Sequence, residues 1–241
     1  MTFITNVLQP IIKLFDKDRY YFHGNILLED YKIIYFPVAK VACSSIKKLF
    51  ADLLDLKYDP DDIDDSVHEL NFPFVKEKEI FSKRYDGYLK FAFVRNPWDR
   101  LFSCYKSKIL QDPDYYIRGF TQGVFDGFLK YGDTFCAGMS FREFVFAIHE
   151  ISDNDADEHF RSQYVTLYDR NGTRLTNYIG IFEKIDQDFF HVANWLHQEV
   201  KLPRLMQSDN RLYTEAYTHK LIQVVADRYK EDIELFDYSF F

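Results

Sequence analysis

The sequence predicts an α/β fold in three layers, a central, mainly parallel sheet flanked by helices. Short β-branched and aromatic runs alternate along the chain with stretches whose apolar residues recur at helical spacing. Twice, a strand-like run passes into a helix-like stretch through a short polar loop, as parallel βα units do. Of the 241 residues, 47% are apolar and 19% aromatic, enough to bury a sizeable core within a single domain, residues 1–241.

Taken in order, the segment Phe3 to Phe15 reads as a short amphipathic helix. It lacks the basic start and small-residue cleavage site of a signal peptide. The first βα unit begins at Ile33-Ile34-Tyr35-Phe36, a buried strand ended by Pro37. A helix follows from near Ser44, with Ser44 or Ser45 as its N-cap. Ile46, Leu49, Phe50, Leu53 and Leu54 form its buried stripe. The second unit is Leu89–Val94, leading through Arg95-Asn96-Pro97 into a helix with Trp98, Leu101, Phe102 and Tyr105 inside. Asn96 is its cap, Pro97 suits the first helical position and Asp99 the first turn. Ser140 and Glu143 form a capping box for a helix reaching His149. A third strand, Asn177–Phe182, precedes Glu183 and a helix over Asp186–Glu199, with Pro203 closing that region. The final helix puts Leu221, Val225, Tyr229, Ile233 and Phe236 on one face.

A net charge of −8 excludes a general nucleic-acid binder, which needs a basic face, but permits a local positive pocket. Cys43, Cys104 and Cys136 are few and odd in number, suiting a reducing compartment and giving neither a disulfide framework nor a zinc motif. No apolar run approaches a transmembrane segment, so a cytoplasmic location is expected. The acidic runs 55–65 and 153–158 read as solvated loops without the glycine and terminal glutamate of a calcium loop.

Lys40-Val41-Ala42-Cys43-Ser44-Ser45-Ile46-Lys47 joins the first strand to its helix. Small residues let backbone amides approach a ligand, and helix N-terminal amides, hydroxyls and two lysines together suit a phosphate. It has none of the glycines of a Walker loop, and an ordinary β-to-α turn with surface lysines fits the segment equally. Arg95 and Ser103 could hold a second phosphate as fork and extra donor; a surface ion pair and a solvent-facing serine are the alternative. Two anion sites at adjacent strand ends, where ligands of open parallel sheets bind, suit a ligand with phosphates at both ends.

These segments resemble the carbohydrate sulfotransferases related to the HNK-1 and chondroitin 4-O enzymes, sulfotransferase family 2. Lys40 to Lys47 is similar to that family's 5′-phosphosulfate loop, roughly P-K-V-A-C-T-N-W-K. Lys90-Phe-Ala-Phe-Val-Arg95-Asn-Pro-Trp-Asp-Arg100-Leu-Phe-Ser103-Cys-Tyr looks like its 3′-phosphate motif, roughly F-V-R-D-P-F-E-R-L-V-S-A-Y. Tyr178 to Glu183 and Arg228 to Tyr238 add weaker matches. The resemblance implies a P-loop-like fold and transfer of a sulfuryl group from 3′-phosphoadenosine 5′-phosphosulfate (PAPS) to a hydroxyl of an acceptor, a carbohydrate above all. By motif match, the 40–47 loop holds the 5′-phosphosulfate, with Lys40 stabilising the leaving oxygen, and Arg95 and Ser103 hold the 3′-phosphate. Ala39 stands where the family has proline, and Ile46 where it has tryptophan.

A base must take the acceptor's proton. His68, between the two motifs, is preferred, since several relatives carry a histidine there; a loop histidine with local hydrogen bonds is its other reading. His159 competes, either presenting polar groups to a sugar with Gln163 or simply satisfied by Asp155 or Asp157. Arg161 suits an anionic acceptor or an exposed surface, Arg211 the nucleotide or an exposed loop, and Glu183 a structural contact. Aromatics over 115–136 suit a core or a sugar platform. The rival functions are a P-loop-like kinase and a non-catalytic nucleotide- or glycan-binding protein on the same scaffold.

Overall fold

Two strands joined by a tight turn open the described part of the computed structural model, which covers residues 24–110, 112–114, 117–203, 205 and 213–241. The expected helix from Phe3 to Phe15 lies outside these residues. β1 (Asn25–Leu28) and β2 (Ile33–Tyr35) pair antiparallel, and Lys32 turns between them at φ 53°. α1 (Cys43–Leu53) then buries Ile46, Leu49 and Phe50 in the sheet's core. A short α2 (Ile63–Ser66) leads to β3 (Phe74–Val75), antiparallel to the far side of β1. β4 (Leu89–Val94) lies parallel to β2, with Leu89 opposite Ile33.

After β4, Asn96 caps α3 (Pro97–Lys108) by accepting a hydrogen bond from the Trp98 amide at 3.1 Å. A small ribbon, β5 (Phe120–Thr121) with β6 (Val124–Phe125), precedes α4 (Phe141–His149), whose Ser140–Glu143 capping box is formed as the sequence predicts. α5 (Tyr164–Leu167) and β7 (Tyr178–Ile181) follow, β7 lying parallel to β4. α6 (Ile185–Leu196) stops short of the expected Glu199, because His197 turns left-handed at φ 51°.

The sheet runs β3-β1-β2-β4-β7. It is mixed rather than mainly parallel: β2, β4 and β7 are parallel, while β1 and β3 are antiparallel additions. The three parallel strands put the carboxyl ends of β2 and β4 side by side, and both candidate anion loops leave from there. A second apolar cluster lies away from the sheet, around Trp98, Phe128, Phe144, Phe160 and Tyr229. Phe125, Phe128 and Phe135 are buried in it, so these three supply core rather than a sugar platform.

The last helix is two. α7 (His219–Arg228) and α8 (Lys230–Phe236) meet at Tyr229, φ −116°, ψ 32°. Tyr229 donates its hydroxyl to the Phe160 carbonyl (2.7 Å), and Asp232 accepts from the amides of Gln163 and Tyr164 at 2.8 Å each. The break lets Asp232 reach the start of α5. Burial, against those two amide bonds, pushes the Asp232 carboxyl up to about 6 from an ordinary 3.8. A folded-state pKa above the unfolded one makes the folded protein bind more protons between these values, so ionisation opposes folding. Relative to Asp232→Asn, the protein should therefore lose stability as pH rises from about 4 to 6, by up to about 3 kcal/mol at about 1.4 kcal/mol per unit, and hold level above. Urea denaturation of both proteins at pH 4 and pH 7 measures this difference.

Candidate active site

The loop leaving β2 is bent by its backbone rather than by glycine. Lys40 (φ 66°) and Ala42 (φ 54°) are both left-handed, a conformation that costs a residue with a Cβ on the order of 1–2 kcal/mol. Two arginines hold it there. Arg100 Nε donates to the Ala39 carbonyl at 2.9 Å, and Arg95 Nη1 to the Lys40 carbonyl at 3.1 Å. From below, the Cys43 thiol donates to the Val38 carbonyl at 2.8 Å.

α1 therefore starts at Cys43 with Ala42 as N-cap, one residue before the expected Ser44. No side chain caps it and no acidic residue lies in its first turn. Its leading amides form the positive end of the helix dipole, and no carboxylate of α1's own first turn competes for them, the nearby Glu158 charge coming from another segment. The side chains of Val41, Cys43, Ser45 and Ile46 are buried, so these residues offer a ligand main-chain amides. Ile46, wholly inside the sheet core, cannot take the place of an aromatic wall. Lys40, Ser44 and Lys47 are half-buried and keep polar ends outside that core.

His68 joins this cluster. Lys47 Nζ lies 3.0 Å from His68 Nδ1, and Ser44 Oγ 3.0 Å from Nε2. An ammonium only donates, so Nδ1 accepts and the proton on Nε2 is directed at Ser44. The residue as a whole keeps contact with solvent while protein atoms crowd around its ring. That desolvation, then the charges of Lys47, His159, Lys108 and Lys40, hold His68 well below the usual histidine value, and it is neutral at pH 7.

Arg95 is 3% exposed. Its Nε donates to Asp99 at 2.7 Å, and its guanidinium lies 4.4 Å from the Phe182 ring centroid. Gln163 brackets its main chain, accepting from the Arg95 amide and donating to its carbonyl, both at 2.9 Å. Gln163 is fully buried by this and so does not present its amide to a sugar. Ser103 sits half-buried on α3. Glu183 accepts from the Asn96 amide (2.7 Å) and the Tyr238 hydroxyl (3.1 Å), a structural role at the end of β7.

His159 is held differently from His68. Its Nδ1 lies 2.6 Å from Asp157 Oδ1, its ring packs edge-on to Phe125, and its side chain is 12% exposed. Nδ1 therefore carries the proton that Asp157 accepts, leaving Nε2 as the basic nitrogen. Burial and the Lys108 charge outweigh the carboxylate's pull and lower the pKa from 6.5. Asp153 in the same acidic run accepts from the Ser162 amide and pairs with Arg228 at 2.7 Å. The run 153–158 is thus a scaffold and not the expected solvated loop: Asp153 and Asp157 are drawn in by buried donors.

With that geometry in view, the comparison with known sequences decides the family. A model of the sulfotransferase family matches residues 24–239. The chain belongs to the sulfotransferase family. It is 24% identical to carbohydrate sulfotransferase 11 of Rattus norvegicus, over 88% of the chain and 66% of that protein. It is 26% identical to carbohydrate sulfotransferase 9 of Homo sapiens, over 90% of the chain and 53% of that protein. Carbohydrate sulfotransferase 14 of Mus musculus is 27% identical over 71% of the chain and 46% of its own length. The chain thus spans between about half and two thirds of the curated relatives it matches. No solved structure matches it significantly.

In this sulfotransferase-family chain, the structure brings Lys40, Ser44, Lys47 and His68 together at the start of α1 and sets Arg95 against them through the Lys40 carbonyl. Arg211 lies outside the described residues. Sequence reasoning missed Arg100 and Lys108. Arg100 stood inside the second motif, five residues after Arg95, and an arginine in a helix's first turn, where cations are disfavoured, was the available signal. Asp157, two residues before His159, was expected as one of two carboxylates that could satisfy it, and it is the one that does so. Arg161 donates to the Ala156 carbonyl at 2.6 Å and leaves its Nε buried without a hydrogen-bond partner. Among the described residues no helix is long and apolar enough to cross a membrane.

Proposed function

We propose that the protein transfers a sulfuryl group from PAPS to a hydroxyl of a carbohydrate acceptor, on a P-loop-like α/β scaffold. The observation that carries this reading is the start of α1, capped by no side chain and with no acidic residue in its own first turn, tied to the Arg95 motif through the Lys40 carbonyl. That junction supports one ligand with anionic groups at both ends. The residues described fit the donor: leading amides of α1, the Ser44 hydroxyl, Lys40 and Lys47 for the 5′-phosphosulfate, with Arg95 and Ser103 assigned to the 3′-phosphate; Arg211, assigned to the nucleotide, lies outside the described residues. When bound, PAPS supplies the sulfuryl group on a good leaving group. Lys40 would meet negative charge growing on the departing oxygen. Arg95 contributes its charge from beneath the loop while keeping the loop's path.

Of the two candidate histidines, His159 is taken as the base on the strength of its carboxylate partner. Asp157 sets the His159 tautomer and stabilises the imidazolium that forms, while Lys47 lies on His68 Nδ1. His68 then orients Ser44 and Lys47. Isothermal titration calorimetry tests the nucleotide assignment. The protein should bind 3′-phosphoadenosine 5′-phosphate at least about tenfold (about 1.4 kcal/mol) more tightly than ATP with magnesium. The reverse order would hand the site to a kinase.

A further inference from the structure

Arg100 lies under the site and has no part in the reading above beyond holding Ala39. Its side chain is buried, the residue being 3% exposed. Three of its donors end on main-chain carbonyls: Nε on Ala39 at 2.9 Å, Nη1 on Arg161 at 2.8 Å and Nη2 on Glu158 at 2.9 Å. Ala39 belongs to the loop that presents Lys40. Glu158 and Arg161 flank His159. One rigid fork thus spans the two segments that carry the leaving-group cation and the proposed base.

Among the described residues no carboxylate is hydrogen-bonded to this guanidinium. The buried Asp232 carboxylate is near enough to feel its charge, but all three hydrogen bonds go to neutral carbonyls, and the cost of burying the cation falls further when a second anion arrives nearby. We infer that Arg100 is a positioning residue that locks the Lys40 loop to the His159 turn, the lock tightening when a bisphosphate nucleotide occupies the loop. The inference rests on the PAPS reading and adds to it a coupling between nucleotide and base. A side chain that merely filled space would hold both segments equally well with or without nucleotide.

Amide hydrogen exchange read by NMR tests this, with 3′-phosphoadenosine 5′-phosphate as the probe. In the wild-type protein the nucleotide should slow exchange at Val41 and also at Phe160 and Arg161, each by roughly tenfold. In Arg100→Lys, which keeps the charge and loses the fork, Val41 should still be slowed while Phe160 and Arg161 change by less than about twofold. Undiminished protection of Phe160 and Arg161 in Arg100→Lys would overturn the inference. Should the variant not fold, the wild-type protein decides: Val41, Phe160 and Arg161 should open as one unit with one denaturant slope, and separate openings would overturn the lock. If calorimetry shows no nucleotide binding to the wild-type protein, the PAPS reading fails, and with it the nucleotide-driven tightening. The lock itself is then judged on nucleotide-free exchange, which Arg100→Lys should speed at all three amides; a change at one segment alone overturns it.

Discussion

Lys40→Ala should lower turnover about 10²–10³-fold, the effect of deleting one preorganised donor to a developing oxyanion, while affinity for 3′-phosphoadenosine 5′-phosphate falls less than tenfold. The site makes this substitution unusually clean. Alanine has the same left-handed strain as lysine at φ 66°, so the backbone gains no new reason to move. Arg95 and Arg100 grip the carbonyls of Lys40 and Ala39, which any residue supplies. What is lost is the ammonium. Steady-state kinetics with a fixed acceptor, beside calorimetry on the same preparations, separates the two quantities. Equal losses in turnover and affinity would show that Lys40 binds the ground state as strongly as the transition state.

The second large effect should come from the Asp157–His159 pair. His159→Ala should cost about 10²–10⁴ in kcat, the range for removing a general base, with nucleotide affinity preserved. Asp157→Asn should also lower kcat, and it carries a pH signature. His159 has a pKa below 6.5 because burial and Lys108 outweigh Asp157, so the acid limb of the wild-type rate profile should lie below the ordinary histidine range. Removing the anion removes the factor that favours the protonated ring. The limb of Asp157→Asn should therefore move to still lower pH, beneath a reduced plateau. By contrast, His68→Gln should weaken nucleotide binding more than it slows turnover, because His68 orients Ser44 and Lys47. If instead His68→Gln abolishes transfer with binding intact and His159→Ala stays active, the base is His68.

The parallel half of the sheet was legible in the sequence because each strand there is a buried apolar run followed by its own helix. Leu89–Val94 came out with its observed bounds, and the Asn96–Pro97 start of α3 and the Ser140–Glu143 box followed from local chemistry alone. β1 was missed: Asn-Ile-Leu-Leu is four residues long, and its place is set by pairing with β2 and β3. The break at Tyr229 escaped for a similar reason. The apolar stripe runs on through it, and only Asp232 reaching Gln163 and Tyr164 explains the turn. At the site, the loop pattern pointed to Lys40, Ser44 and Lys47, and the family resemblance to His68, and the four lie together. The Asp157–His159 contact is local and was among the expected ones, whereas the role of Arg100 depends on contacts made across the fold, invisible to spacing.

Two side chains from one short stretch, Arg95 and Arg100, fasten consecutive peptide carbonyls of the loop before α1. Fastening of that kind ignores side-chain identity at the fastened positions. It accounts for the tolerance of alanine at position 39, since the turn is imposed from outside and needs no ring to stiffen it. Sequence drift is therefore cheap on the clasped side and dear on the clasping side. Divergent copies of this chain should keep both guanidinium groups long after residues 38 and 39 have changed.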